Sequence, residues 1–215
     1  MIDCFHPKIA VILNLSPNHL DRYGKYENYI NAKMRIINNL TKNDYLIYNE
    51  DSTLTKKRIK SCKAKKLGFS MNNQKSDAYV KNNQLYLCNN KLISCEEIAL
   101  QGNHNYMNAM AAILTADCAG ISTISTLKAL KSFKGVEHRL EYVTNINGID
   151  FYNDSKATTI ESLTMALNSF SNRIILIAGG KDKGSDFKKL NKIIKEKVKA
   201  LILIGEAQKK MTISW

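Results

Sequence analysis

Apolar residues occur in short runs that alternate with helical spacings, and this pattern predicts the elements in order. Lys8 to Asn14 is a run of strand length. After a polar loop holding Pro17 and Gly24, a helix is expected from about Tyr26 to Leu40, with Ile30, Met34, Ile37 and Leu40 at helical spacing. A strand at Asp44 to Asn49, a short helix at Ser52 to Lys60 and a strand at Lys66 to Ser70 continue the alternation expected of a parallel α/β sheet. Ala78 to Val80, Leu85 to Cys88 and Leu92 to Ser94, joined at Asn82-Asn83 and Asn89-Asn90, read as a small antiparallel insertion. Gly102-Asn103-His104-Asn105 opens a helix from Met107 to Ala119, stopped by Gly120, and a second helix is expected from about Ser125 to Phe133.

Gly135 then breaks the chain and the alternation restarts, which places a domain boundary near Lys134, with residues 1–134 before it and 135–215 after it. The second unit carries a hairpin from Leu140 to Asn153 around Asn147-Gly148 and a helix from Thr159 to Asn168. A strand at Ile174 to Ala178, the turn Gly179-Gly180, a helix at Phe187 to Val198 and a strand at Ala200 to Gly205 follow. A full doubly wound sheet needs more strands than these, so this unit is expected to be partial.

With 215 residues, 44% of them hydrophobic, the chain has an ordinary globular composition. No apolar run approaches the roughly 18 to 20 residues that cross a bilayer. Asp3 and His6 precede the first apolar run and no small-residue cleavage site follows, so a cytoplasmic location is expected. Five cysteines without a Cys-x-x-Cys pair argue against a disulfide framework and a structural zinc. The net charge of +13 invites a nucleic-acid reading, but only five of the basic residues are Arg and no RNA-binding aromatic signature accompanies them. A basic field also favours anionic substrates such as nucleotides.

Candidate chemistry concentrates at Tyr152-Asn153-Asp154-Ser155-Lys156-Ala157-Thr158, where a carboxylate, two hydroxyls and an ammonium lie between a strand and a helix start. Such a place suits a phosphate or carboxylate, and its plain alternative is an Asp/Ser/Thr helix cap. His19 lies in the loop after the first strand, at the sheet edge where ligands usually bind, either as a metal ligand or as an imidazole bonded to backbone. Lys33, between apolar neighbours, is either a half-buried amine able to form a carbamate with carbon dioxide or a side chain that snorkels to solvent. Asn105 and Asn108, three apart, could read a base edge or cap the helix. Arg139 could swing onto a phosphate, and Lys183 in the loop after Gly179-Gly180 could meet a carboxylate.

Taken in order, the motifs Asn-Leu-Ser-Pro-Asn-His-Leu-Asp-Arg (14–22), Tyr-Ile-Asn-Ala-Lys (29–33), Gly-Asn-His-Asn-Tyr-Met-Asn-Ala (102–109), His-Arg-Leu-Glu (138–141) and Asn-Asp-Ser-Lys-Ala-Thr (153–158) resemble those of the Mur ligases. The last of them, with the Gly-Gly-x-Asp-Lys-Gly turn, is similar to the branch that adds D-glutamate to UDP-N-acetylmuramoyl-L-alanine. Thr159 stands where that family usually shows Asn. The resemblance implies most of a central ATP-binding domain, residues 1–134, followed by part of a Rossmann-like C-terminal domain, residues 135–215. No Gly-x-x-Gly-Lys-Ser/Thr phosphate loop occurs in the sequence, and the family carries one upstream of this segment, so the segment by itself is expected to be inactive.

By the same resemblance, the complete enzyme transfers the γ-phosphoryl of ATP to the substrate carboxylate, and the D-glutamate amine attacks the resulting acyl phosphate. His19 and carbamylated Lys33 would hold a Mg2+ ion, Asn105, Asn108 and Asp154 would contact the adenosine, and Arg139 would reach the ATP phosphates. Lys156, Thr158 and Lys183 would line the D-glutamate carboxylate pocket, with domain closure completing the site. The implied partners are small molecules only, with no nucleic acid or membrane, and the implied state is a monomer. A folate-polyglutamylating sister ligase and a non-catalytic nucleotide- or nucleic-acid-binding module are the competing readings.

Overall fold

The computed structural model describes residues 4–17, 20–182 and 184–215 of the chain. Contacts between Cα atoms divide it into two compact units, Met1–Ser16 with Glu27–Lys134 and Pro17–Tyr26 with Gly135–Trp215. The described residues 17 and 20–26 therefore group with the second unit, whereas the sequence pattern places them in the first. The second unit includes the short helix α1 (Leu20–Tyr23), which follows β1 (Ile9–Ile12) in the chain.

In the first unit, α2 (Tyr26–Met34), β2 (Tyr45–Asn49), α3 (Thr53–Arg58) and β3 (Lys65–Ser70) follow β1, and then come β4 (Ala78–Lys81), β5 (Gln84–Leu87) and β6 (Asn90–Ser94). These six strands form one sheet in the order β1-β2-β3-β4-β5-β6. The pairs from β1 to β4 are parallel, and those from β4 to β6 are antiparallel. The antiparallel residues thus extend the parallel sheet through the Phe69↔Ala78 and Ser70↔Tyr79 pairs. Asn82-Asn83 makes the first tight turn, with φ of 47° and 58°. The second turn is Cys88-Asn89, not Asn89-Asn90, because Asn90 already pairs with Leu87. Asn tolerates the left-handed region that such two-residue hairpin loops require.

Leu46 and Ile47 point to opposite faces of β2 and both are fully buried, so both faces of the sheet are covered. One face packs on α4 (Asn103–Cys118), whose Met110, Ile113 and Leu114 meet Ile47, Phe69 and Leu85, with Leu127 and Leu130 of α5 (Thr123–Ser132) alongside. The helix expected from Tyr26 to Leu40 ends at Met34 and continues as a 3₁₀ turn over Arg35–Ile37. The β-branched pair Ile36-Ile37 and the pair Asn38-Asn39 are poor helix formers, and the bonds Asn38 N to Arg35 O and Leu40 N to Ile37 O follow the tighter 3₁₀ pattern.

The second unit opens on the hairpin β7 (Glu141–Ile146) and β8 (Ile149–Asn153), turned at Asn147-Gly148 with φ of 52° and 81°. It continues through α6 (Ile160–Asn168) and β9 (Ile174–Gly179), a 3₁₀ turn at Phe187–Leu190, α7 (Asn191–Lys197), β10 (Val198–Ile204) and α8 (Gln208–Ser214). Val198 pairs with Ile174 and so belongs to the strand, not to the end of the preceding helix. The parallel pair β9–β10 buries Leu176 and Leu201 against Leu167, Leu190 and Ile194, while Ile175, Ile177, Ile202 and Ile204 are exposed on its other face. Among the described residues, no helix is long and apolar enough to cross a membrane.

Candidate functional site

Chain direction at the β8–α6 junction is set by Thr159, whose Oγ1 accepts from the Ser162 amide at 3.1 Å and caps α6. That relieves Asp154, Ser155 and Thr158 of capping, which was the plain reading of this stretch. Asn153 Oδ1 instead accepts from Ser155 N at 3.1 Å, and the Asp154 carbonyl accepts from Ala157 N at 2.8 Å, so the segment between strand and cap is a self-supported turn. The side chains of Lys156 and Thr158 are exposed on it, ready for an anion from solvent. Asp154 is partly buried. Burial pushes its carboxyl up, while the Leu140 N–H, donated to Oδ1 at 3.0 Å, and the charge of Arg139 pull it down.

Arg139 sits on a second turn that adjoins the first. His138 and Leu140, on either side of it, both lie in the left-handed region, with φ of 67° and 46°. Histidine enters that region more readily than most side chains; leucine does not, and each such residue costs on the order of 1 kcal/mol or more. Both amides are tied to carboxylates: His138 N donates to Glu141 Oε2 at 2.8 Å and Leu140 N to Asp154 Oδ1 at 3.0 Å. The His138 carbonyl accepts from Lys156 N at 3.1 Å, so the turns bearing Arg139 and Lys156 are joined through backbone. Arg139 itself is exposed.

In the first unit, α4 begins at Asn103, four residues earlier than the apolar spacing suggested, with Gly102 at φ 102° as its cap residue and no side-chain cap. Neither Asn105 nor Asn108 caps the helix. Asn105 Nδ2 donates to the Gln101 carbonyl at 2.9 Å, and Asn108 is exposed, its side chain making no hydrogen bond among the described residues. Gln101, which the sequence reading passed over, accepts from Tyr106 OH at 2.7 Å and donates to the carbonyls of Ile98 and Cys95, and so fixes the helix start to the preceding loop. No motif marks it; a Gln immediately before a helix-opening Gly is the only sequence signal.

Lys33 is exposed, not half-buried, and its Nζ stands over the Tyr29 ring at 5.6 Å from the centroid. The amine faces solvent because α2 turns Ile30 and Met34 to the core. His19 and Lys183 lie outside the described residues. Around Lys183, Asp182 accepts from Gly184 N at 2.9 Å and pairs with Lys210 of α8, and these two contacts, the amide first, hold its carboxyl below the usual range. Gly179 serves packing, since a Cβ there would lie 1.8 Å from the Ile204 carbonyl oxygen, and Gly180, at φ 107°, accepts at its carbonyl from Ala207 N at 2.9 Å.

Comparison with known proteins bears on the family and the fold. The Mur ligase middle domain matches residues 1–116, and the Mur ligase glutamate ligase domain matches residues 138–214. UDP-N-acetylmuramoylalanine–D-glutamate ligase of Caldanaerobacter subterraneus subsp. tengcongensis is 44% identical over 208 residues, which is 96% of this chain and 46% of that protein. The ligase of the same name from Ligilactobacillus salivarius is 42% identical over 203 residues, 94% of this chain and 44% of that protein. The chain spans about half the length of the curated relatives it matches. Among solved structures, MurF from Acinetobacter baumannii shares the fold with a TM-score of 0.79 at 18% identity, covering 97% of this chain and 49% of that one. MurF ligase of Thermotoga maritima, solved in complex with ADP, does so at 0.72 and 17% identity, covering 94% and 53%. The chain belongs to the Mur ligase family, with a middle-domain segment followed by a glutamate ligase segment.

Proposed function

We propose that this chain is the central and glutamate-ligase part of an ATP-dependent, ADP-forming ligase that joins D-glutamate to UDP-N-acetylmuramoyl-L-alanine in cytoplasmic peptidoglycan precursor synthesis. The observation that carries the reading is the division of labour at residues 153–159: Thr159 alone caps α6, which leaves Lys156 and Thr158 displayed at a helix entrance. The helix dipole and the ammonium both favour a carboxylate there.

In this reading the substrate carboxylate attacks the γ-phosphorus of ATP and ADP leaves. The amine of D-glutamate then attacks the acyl carbon, phosphate departs with one former carboxylate oxygen, and the amine proton is lost to solvent. Asn105 and Asn108 contact the adenosine; one Nδ2 hydrogen of Asn105 is engaged with the Gln101 carbonyl, which leaves its other N–H and its Oδ1 for the ligand. Asp154 contacts the adenosine, Arg139 meets phosphate charge, and Lys156, Thr158 and Lys183 take the D-glutamate carboxylates. His19 and a carbamate on Lys33 would hold the Mg2+ ion; the carbamate oxygen is the hard donor that ion prefers, and Lys33 is exposed. Bound there, the ion would offset negative charge as two anions approach.

The test is phosphate release by the complete ligase carrying this segment. Release that requires magnesium, D-glutamate and UDP-N-acetylmuramoyl-L-alanine together supports the assignment; release driven by L-glutamate with a folate points to the sister ligase and removes it. The 215-residue chain assayed alone, without a Gly-x-x-Gly-Lys-Ser/Thr sequence, should give no turnover.

A further inference from the structure

Two hydrogen-bonded side chains beneath Arg139 have no part in the scheme above. Glu141 Oε2 accepts from His138 N at 2.8 Å, and the amide of Asn153 donates to His138 Nδ1 at 2.7 Å and reaches Glu141 Oε2 at 3.5 Å. Glu141 opens β7 and Asn153 closes β8, and the two are cross-strand partners in the hairpin register. His138 is thus held from both strands of one hairpin. Its own conformation is left-handed, as is that of Leu140, and an unsupported chain would leave that region. Because two bent residues flank Arg139, relaxation of either would redirect its side chain. The His138 carbonyl also accepts from Lys156 N, so the same relaxation would loosen the Lys156 turn.

We infer that Glu141 and Asn153 are positioning residues: by clamping His138 they hold the left-handed turn on which Arg139 is mounted and fix where its guanidinium points. The kinetic side of this inference rests on the phosphate role proposed for Arg139. The clamp itself rests only on the hairpin.

The experiment is a mutant cycle in the complete ligase, read by steady-state kinetics and by hydrogen exchange at the His138 amide. Glu141→Ala should raise KM for ATP or lower kcat by about tenfold in total and speed exchange at His138. Glu141→Gln, which keeps an oxygen to accept that amide, should recover most of the loss, and Asn153→Ala should act in the same direction as Glu141→Ala. In an Arg139→Ala background, Glu141→Ala should add nothing to the defect in KM for ATP. A full-sized additional rise in KM for ATP in that background, or unchanged exchange at His138, overturns the inference. If Arg139→Ala leaves ATP kinetics untouched while exchange at His138 still rises in Glu141→Ala, the clamp stands and the phosphate role of Arg139 is what falls.

Discussion

Asp44 precedes β2 with its carboxylate buried, bonded to His6 Nε2 at 2.7 Å and accepting from the Thr41 hydroxyl at 2.7 Å and the Thr41 amide at 2.8 Å. These contacts, the His6 bond first and the Thr41 bonds next, hold the acid well below the usual carboxylate range. A depressed folded-state pKa means that the stabilisation is complete above the ordinary value of 3.8 and is lost as pH falls below it. The urea midpoint of the chain should therefore drop between about pH 5 and pH 2, and Asp44→Asn should flatten that slope while lowering the midpoint at neutral pH. Undiminished acid sensitivity in the variant would remove Asp44 as its source. Asp44 joins distant segments, since Lys65 N also donates to its carbonyl, and nothing in its immediate sequence announces that.

At the scale of elements, strands and hairpins were legible because their side-chain period is short and their turns carry Asn and Gly at the left-handed positions. The turn at Asn147-Gly148 fell where the pattern put it; the next-best case slipped by one residue because Cys88, not Asn90, takes the left-handed place. Helix ends were less legible. Ile36-Ile37 has helical spacing but poor helix propensity, and α8, with seven residues and no side-chain cap, gives no signal, although its Lys210 pairs with Asp182 and Trp215, just after it, donates from Nε1 to the Phe187 carbonyl. The cap of α6 supplies a direct check. Thr159→Ala should cost about 1 kcal/mol in urea unfolding, whereas Thr159→Asn should stay within a few tenths, because Asn caps as well as Thr. Equal losses in both variants would show that the Thr159–Ser162 bond is not the stabilising contact.

For the molecule as a whole, the sequence carried the chemistry of the site further than its support. Lys156, Thr158, Arg139 and Asn108 each lie in a recognisable motif and are exposed. What the motifs could not convey was the set of bonds that holds them: Gln101 under α4, and Glu141 and Asn153 under Arg139, act through partners distant in the chain or through backbone conformation. Lys33 shows the reverse, because apolar neighbours in sequence suggested burial while helix geometry sends the amine outward over Tyr29. An accessible amine makes the carbamate role testable. Lys33→Ala should abolish turnover in the complete ligase, and Lys33→Glu, which retains a carboxylate near the same place, should keep a small fraction; normal rates in Lys33→Ala would remove any magnesium role for this residue.

The central claim, ligation through an acyl phosphate, is tested most directly by isotope transfer. UDP-N-acetylmuramoyl-L-alanine labelled with oxygen-18 in its terminal carboxylate is turned over with ATP and D-glutamate by the complete ligase. The account predicts that one labelled oxygen appears in the released inorganic phosphate for each amide bond formed, because the carboxylate oxygen that attacked phosphorus leaves with it. Amide formation accompanied by unlabelled phosphate would contradict it.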